Sequence, residues 1–186
     1  MGMPVPKRPI TVDDLESMPD DGNRYEIIDG ELFVTPPPLL RHQRAQMSLI
    51  ARLLPYARTM GIELLAAPTG VRVSRCTQVE PDLLALAKMT DIDDSTGWIS
   101  MSRLLLAVEV LSPGTRRVDR DRKRRLYLSE GVREYWTVDS QKRVVELWTA
   151  DSDAARVVTD VLEWRPLSDR DALRIDLVEV FNEVHA

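Results

Sequence analysis

The longest helical pattern in the chain runs from about residue 41 to Gly61. Its apolar positions recur at the three- and four-residue spacing of one helix face, at Ile50, Leu53, Leu54, Ala57 and Met60. His42 and Gln46 precede them at four-residue steps, so both polar side chains extend the same buried stripe. Pro55 is expected to kink or divide this helix, and Gly61 to end it.

Strand patterns occupy much of the remaining chain. Residues 104–111 are almost wholly apolar and are closed by Ser-Pro-Gly, which predicts a buried central strand. Asp29-Gly30 joins two short runs into a hairpin over residues 24–34. Further strands are predicted over residues 70–76, 78–88 (entered through Pro81) and 133–139, with a hairpin of 143–149 and 156–161. Residues 173–181 are expected to form a strand or a helix, and residues 89–103 a connecting loop.

Two further helices complete the predicted elements. Thr11, with Asp14 three residues later, indicates the start of a short helix over residues 11–18. A basic helix from about Asp119 to Ser129 is expected to stop at Gly131. Helices interspersed with strands favour an α/β (α+β) fold, a mixed sheet flanked by helices with an N-terminal hairpin and extra C-terminal strands.

Composition narrows the functional classes. The 186 residues include one cysteine, Cys76, and two histidines, His42 and His185, so an internal disulfide is excluded and a structural zinc site is not expected. The sequence offers no run that could span a bilayer, and a cytoplasmic location is the expectation. The formal net charge of −5 argues against a generally basic coat for nucleic acid, although a local basic patch remains compatible with it.

The candidate chemistry lies in two carboxylates. Glu109 sits inside the apolar strand, where a lone carboxylate is costly to bury unless a cation or a metal compensates it. Asp82 opens the preceding predicted strand. If the two strands are neighbours, both acids can share a divalent cation. Oxygen ligands with few imidazoles suit Mg²⁺ or Mn²⁺.

Basic residues follow the central strand. Lys123 could orient a metal-bound water or stabilise developing charge, or could be a solvated lysine paired with Asp119. The arginines around it are expected to form a phosphate-facing surface: Arg116, Arg117, Arg120 and Arg124. A buried acid followed by a cationic helix is the arrangement that a metal-dependent phosphodiesterase needs.

Several segments together resemble one protein family. They are YEIIDGEL, Pro38 through His42-Gln43, EPDLLAL, VEVLSPGTRR, the series Asp119, Lys123 and Tyr127, and GVREYWTVD, covering most of residues 24–140. This combination is similar to the Uma-type putative restriction endonucleases of the PD-(D/E)XK nuclease superfamily. The resemblance implies a restriction-endonuclease-like core with Asp82 and Glu109 as metal ligands and Lys123 as the basic member. The length of 186 residues suits one well-filled core and is too short for two domains of ordinary size, so one domain is expected over residues 1–186: tail and short helix 1–22, core 23–140 and C-terminal extension 141–186.

The sequence departs from the superfamily pattern in its lysine. The parent motif places a lysine two residues after the second acid, where this chain has Leu111, so Lys123 is expected to act from the following helix. The first core helix offers His42 and Gln46 rather than another acid. These two residues and Glu31 are accessory candidates, with Glu26 and Glu31 expected mainly at the hairpin surface.

The resulting expectation is a magnesium-dependent endonuclease acting on DNA, with the carbonyl of Val110 as a further metal ligand. The alternative is a catalytically weak nuclease-fold module for nucleic-acid binding or assembly, which the missing helix acid and the negative net charge favour. A third reading is a subunit that becomes active as a homodimer or with a partner.

Overall fold

The computed structural model of the protein describes residues 8–87 and 98–186. In chain order the strands are β1 (Arg24–Ile28), β2 (Glu31–Thr35), β3 (Ile62–Ala66), β4 (Gly70–Ser74), β5 (Thr77–Val79), β6 (Leu83–Ala87), β7 (Trp98–Ser100), β8 (Leu104–Val110), β9 (Glu134–Asp139), β10 (Val144–Trp148), β11 (Arg156–Val158), β12 (Val161–Trp164) and β13 (Leu173–Asp176). The α-helices are α1 (Val12–Leu15), α2 (Leu40–Thr59), α3 (Arg124–Ser129) and α4 (Leu177–His185). A 3₁₀ turn covers Met101–Arg103 and a π-helical segment covers Val118–Lys123.

A six-stranded mixed sheet forms the centre, in the order β11-β10-β9-β8-β6-β3. Its strands pair antiparallel except β8 and β9, which are parallel. Every residue of β8 is buried, so the predicted central strand is confirmed. Asp82 immediately precedes the neighbouring strand β6, and the pairing of β6 with β8 confirms the expected adjacency of these two strands.

Different layers cover the two faces of this sheet. On one face, α2, α4 and the β12–β13 pair contribute Leu49, Trp164 and Phe181 to a core that contains Trp136 of β9. The other face packs on a five-stranded sheet, in the order β2-β1-β5-β4-β7, through residues such as Val71. Burial on both faces explains why β8 carries an apolar run rather than an alternating pattern.

The predicted strand over residues 78–88 is wrong in its extent. The structure has two strands there, β5 in the five-stranded sheet and β6 in the central sheet, separated by Glu80, Pro81 and Asp82. Pro81 lacks the N–H that a continuous ladder needs, and the chain changes sheets at this point. Strand β3 was not predicted. Strand β7 occupies the end of the predicted loop 89–103, of which residues 89–97 lie outside the described residues.

The structure contains the predicted helices but corrects three details of them. Helix α2 is continuous through Pro55, which is exposed, so the expectation of a divided helix is wrong. Residues 173–181 are neither one strand nor one helix: β13 ends at Asp176, whose side chain caps α4 by accepting the N–H groups of Val178 and Glu179. The basic helix begins with the π-helical segment, and Gly131 follows its C-cap in the left-handed conformation, as predicted.

The Asp29-Gly30 hairpin is confirmed. Both residues have positive φ, 53° and 78°, and Ile28 pairs with Glu31. A Cβ on Gly30 would lie 2.5 Å from Cβ of Pro9, so only glycine fits between the hairpin and the N-terminal segment. Within the described residues no helix is long and apolar enough to cross a membrane.

An ion pair between α2 and α4 predicts a pH dependence of stability. Arg52 donates to both carboxylate oxygens of Glu183 at 2.7 and 3.0 Å, and this contact, with a hydrogen bond from Ser48, lowers the pKa of Glu183 from 4.5 to about 2. Because the folded-state pKa is depressed, the stabilisation is present above pH 4.5 and is lost as the pH falls towards 2.

We therefore expect Glu183→Gln to lower the free energy of unfolding by about 0.5 kcal/mol at pH 7, a small effect because the carboxylate is half exposed. Urea unfolding of both proteins at pH 7 and at pH 3 measures it, and the difference should shrink at pH 3. An equal difference at both pH values would contradict the assignment of the effect to this ion pair.

Candidate functional site

A cavity of about 970 Å³ opens where β6 begins and β8 ends. Its wall includes the connection from β2 to α2, rich in proline and leucine, and the Ser-Pro-Gly turn after β8. Five carboxylates line it: Glu26, Glu80, Asp82, Glu109 and Asp119. Both sequence-predicted acids and Lys123 therefore face one cavity.

Asp82 is brought beside the end of β8 by strand register. Leu83 pairs with Val108, so extending the antiparallel register by one residue sets Asp82 opposite Glu109. The Asp82 carboxylate accepts the N–H of Val110 at 2.8 Å and a guanidinium N–H of Arg24 at 2.9 Å. His42 Nε2 lies 2.9 Å from the same carboxylate. Burial would raise the pKa of Asp82, but the hydrogen bond and charge of His42, the charge of Arg24 and the N–H of Val110 together lower it.

Glu109 is only 2% exposed and contacts the basic segment. Its Oε1 accepts from Lys123 Nζ at 2.9 Å and from the hydroxyl of Tyr127 at 3.2 Å. Burial raises the pKa of Glu109 well above its usual value. The positive charge of Lys123 lowers this pKa, but the negative charges of Asp82 and Asp119 raise it further. Added positive charge beside Glu109 would therefore stabilise its ionised form.

Lys123 is buried, which excludes the alternative of a solvated lysine paired with Asp119 alone. Its Nζ lies 2.8 Å from Glu26, 2.9 Å from Glu109 and 3.8 Å from Asp119. Burial would lower the pKa of Lys123, but these three carboxylates outweigh it and raise the pKa, so the side chain is an ammonium group. The π-helical turn places Asp119 and Lys123 on the inner face, where the following Tyr127 is also buried.

Glu26 is the residue that sequence reasoning placed wrongly. It is 2% exposed rather than a surface residue of the hairpin, and its Oε1 accepts the backbone N–H of Glu80 at 2.7 Å. The alternating pattern of β1 could have indicated this burial, because Arg24, Glu26 and Ile28 share one strand face and Ile28 is apolar. Arg24, also missed, is partly buried and donates to the carbonyl of Glu80 and to Asp82.

The accessory candidates separate into two groups. His42 and Gln46 reach the site from α2: Gln46 Nε2 donates to the carbonyl of Asp82 at 2.7 Å. Among described residues, buried Nδ1 of His42 has no hydrogen-bond partner. Glu31 instead is exposed and pairs with Arg122 at 2.7 Å. The alignment of His42 and Gln46 with the buried face of α2 is confirmed, while Glu31 does not line the cavity.

The donor set of the cavity suits a hard divalent cation. In the part of the chain that the structure describes, five carboxylates outnumber the three arginine and lysine side chains that line the cavity, Arg24, Arg41 and Lys123, and carboxylate oxygens are the ligands that such a cation prefers. In the structure these oxygens contact protein side chains instead: Arg24 and His42 contact Asp82, and Lys123 contacts Glu109. No ready-made cluster of three metal-ligating side chains exists among the described residues. A cation shared by Asp82 and Glu109 would therefore replace part of these contacts.

The predicted phosphate-facing arginines differ in their surroundings. Arg117 is exposed. Arg116 lies 3.5 Å from buried Asp139, and Arg120 donates twice to Glu146 at 2.8 Å. The guanidinium of Arg124 lies 4.5 Å from the ring centre of Trp148. Three of the four arginines thus have internal partners, which are carboxylates for Arg116 and Arg120 and an aromatic ring for Arg124.

Comparison with known proteins gives a family and a fold. The sequence profile of the family described as Uma2, putative restriction endonuclease, matches residues 12–178. The crystal structure of a putative nuclease belonging to DUF820 from Anabaena variabilis ATCC 29413 superposes with a TM-score of 0.76 over 95% of this chain and 99% of that one, at 15% identity. No curated protein matches the sequence. With most of its length matched by the profile and its nuclease-like fold shared with that structure, the chain belongs to the Uma2 family of putative restriction endonucleases.

Proposed function

We propose that this protein is a magnesium-dependent endonuclease that hydrolyses phosphodiester bonds in DNA. The observation that carries the proposal is the meeting of Asp82 and Glu109, from neighbouring strands, in one cavity with the buried Lys123. Membership of a family of putative restriction endonucleases supports hydrolysis of nucleic acid. Mg²⁺ and a DNA substrate are the parts of the proposal that await experiment.

Asp82 and Glu109 would hold the cation, with the carbonyl of Val110 as a further ligand. A bound divalent cation supplies polarisation of a phosphoryl oxygen and a lower pKa for a coordinated water. Lys123, held as an ammonium group 2.9 Å from Glu109, would stabilise the negative charge that develops on the phosphate. His42 reaches the same cavity from α2 and orients Asp82.

A second candidate function, a nuclease-fold module that binds nucleic acid without cleaving it, is favoured by one observation. Both oxygens of Asp82 already accept or face protein donors: Arg24 at Oδ1, and His42 and Val110 at Oδ2. A cation must compete with these contacts for Asp82. Calorimetric titration with Mn²⁺ separates the two functions, because the proposed enzyme requires a saturable cation site.

The first prediction concerns the two acids. We expect Glu109→Gln and Asp82→Asn each to reduce Mg²⁺-dependent cleavage of plasmid and of single-stranded oligonucleotides by more than about 100-fold, because each removes a charged metal ligand. Both variants should also lose Mn²⁺ binding in calorimetry. Thermal unfolding followed by circular dichroism establishes that they are folded.

Glu163→Gln is the matched control, since Glu163 is a strand glutamate that pairs with the exposed Arg174 away from the cavity. It should cleave as the unaltered protein does. Undiminished cleavage by Glu109→Gln or Asp82→Asn would refute their assignment as metal ligands.

The second prediction distinguishes an arginine that contacts DNA from one that stabilises the fold. Exposed Arg117 should act through phosphate contacts, so Arg117→Gln should weaken DNA binding and reduce the slope of log K against log salt by about 0.9. Arg120→Gln should instead lower the free energy of unfolding by about 1–3 kcal/mol, because it leaves the partly buried Glu146 without its guanidinium partner. Fluorescence-anisotropy titrations at several salt concentrations and urea unfolding measure the two effects. An unchanged salt slope for Arg117→Gln would rule out a phosphate contact there.

A further inference from the structure

We propose that Glu26 is a positioning residue that keeps Lys123 in the cavity when Glu109 turns towards a cation. This role rests on the proposed function, in which Glu109 binds a cation. Lys123 contacts Glu109 in the cation-free protein, so it needs another partner once the cation is bound. Glu26 comes from β1, outside the two strands that carry the predicted metal ligands.

Glu26 is held beside Lys123 by a backbone donor. Its Oε1 lies 2.8 Å from Lys123 Nζ and accepts the backbone N–H of Glu80 at 2.7 Å. Arg24, two residues earlier on the same strand, donates to the carbonyl of Glu80 at 2.8 Å. The backbone N–H of Glu80 therefore fixes the Glu26 carboxylate, and Arg24 holds the same stretch of backbone, whereas Asp119 is 3.8 Å from Nζ.

Competition for Glu109 creates the need for this second anchor. Lys123 and a cation would both be drawn to the Glu109 carboxylate, and the two positive charges would repel each other. With Glu26 in place, the ammonium group retains a carboxylate partner at hydrogen-bond distance after Glu109 is engaged. Without Glu26, Glu109 is the one carboxylate of the described residues left at hydrogen-bond distance from Nζ, so the ammonium group is held less firmly even before a cation binds.

Stability alone does not account for this buried cluster. Bringing Glu26, Glu109 and Lys123 out of water is costly, and apolar residues of similar volume usually stabilise a protein as well as a buried ion pair does. The cluster also lines an open cavity rather than the sealed core between the sheets. A role in placing the ammonium group explains why charged residues occupy these positions.

The test observes the Lys123 ammonium group directly by ¹⁵N–¹H NMR of lysine NH₃⁺ groups in the cation-free protein. The chain has four lysines, Lys7, Lys88, Lys123 and Lys142, so the signals are few, and Lys123→Arg assigns the relevant one. We expect one slowly exchanging signal from Lys123. Glu26→Gln, which preserves shape and the acceptor for Glu80, should abolish this signal or accelerate its proton exchange at least about tenfold, while Glu163→Gln should leave it unchanged.

A retained signal with unaltered exchange in folded Glu26→Gln overturns the proposal. If Glu26→Gln does not fold, Glu26→Asp keeps the charge but shortens the side chain, and it should accelerate proton exchange of the same signal. An exchange rate equal to that of the unaltered protein would then overturn the proposal. Because these measurements need no metal, they fail or succeed independently of the proposed hydrolysis.

A second readout distinguishes positioning from metal ligation. In Glu26→Gln we expect kcat for DNA cleavage to fall about 10–100-fold with KM for DNA unchanged, and Mn²⁺ affinity in calorimetry to fall less than in Glu109→Gln. Loss of Mn²⁺ affinity equal to that of Glu109→Gln would make Glu26 a ligand and contradict the positioning role. A change in KM alone would contradict it as well.

Discussion

The buried ammonium group of Lys123, held between Glu26 and Glu109, is the interaction on which the arrangement of the cavity depends. A charge removed from water is tolerated only when opposite charges and hydrogen bonds surround it. Three separate parts of the chain supply them: the N-terminal hairpin, the central strand and the π-helical turn. The cluster therefore ties the five-stranded sheet to the central sheet through charge as well as through their shared apolar core.

The same charges set what the cavity can bind. Its acids outnumber its bases, so a phosphate group alone would be repelled, whereas a divalent cation would be attracted and would then present positive charge to a phosphate. The similarity to the structure of a putative nuclease, at 15% identity, is one of fold. The chemistry of the cavity depends on its own side chains. Burial raises the pKa of Glu109, so positive charge added beside it would stabilise the ionised carboxylate.

The central elements could be predicted from the sequence because each shows one clear hydrophobic or helical pattern. The uninterrupted apolar run of β8 predicted a buried strand, and four-residue spacing aligned His42 and Gln46 with the buried face of α2. Glu26 departs from its expected surface position because the side of β1 that carries it faces Lys123 and the backbone of Glu80 rather than solvent. The division of residues 78–88 into two strands and the π-helical turn depend on tertiary contacts that spacing along the chain does not encode. Asp82 therefore needed the pairing of β6 with β8 before it could be placed beside Glu109.

The most direct measurement is the anomalous diffraction of a crystal soaked in Mn²⁺. Joint ligation by the two acids predicts a single strong anomalous peak in the cavity, within about 2.0–2.4 Å of one carboxylate oxygen of Asp82 and one of Glu109. The ammonium group of Lys123 should remain beside Glu26. A cavity without anomalous density at saturating Mn²⁺, or a peak that contacts neither acid, would contradict the assignment of Asp82 and Glu109 as the ligands of a catalytic cation.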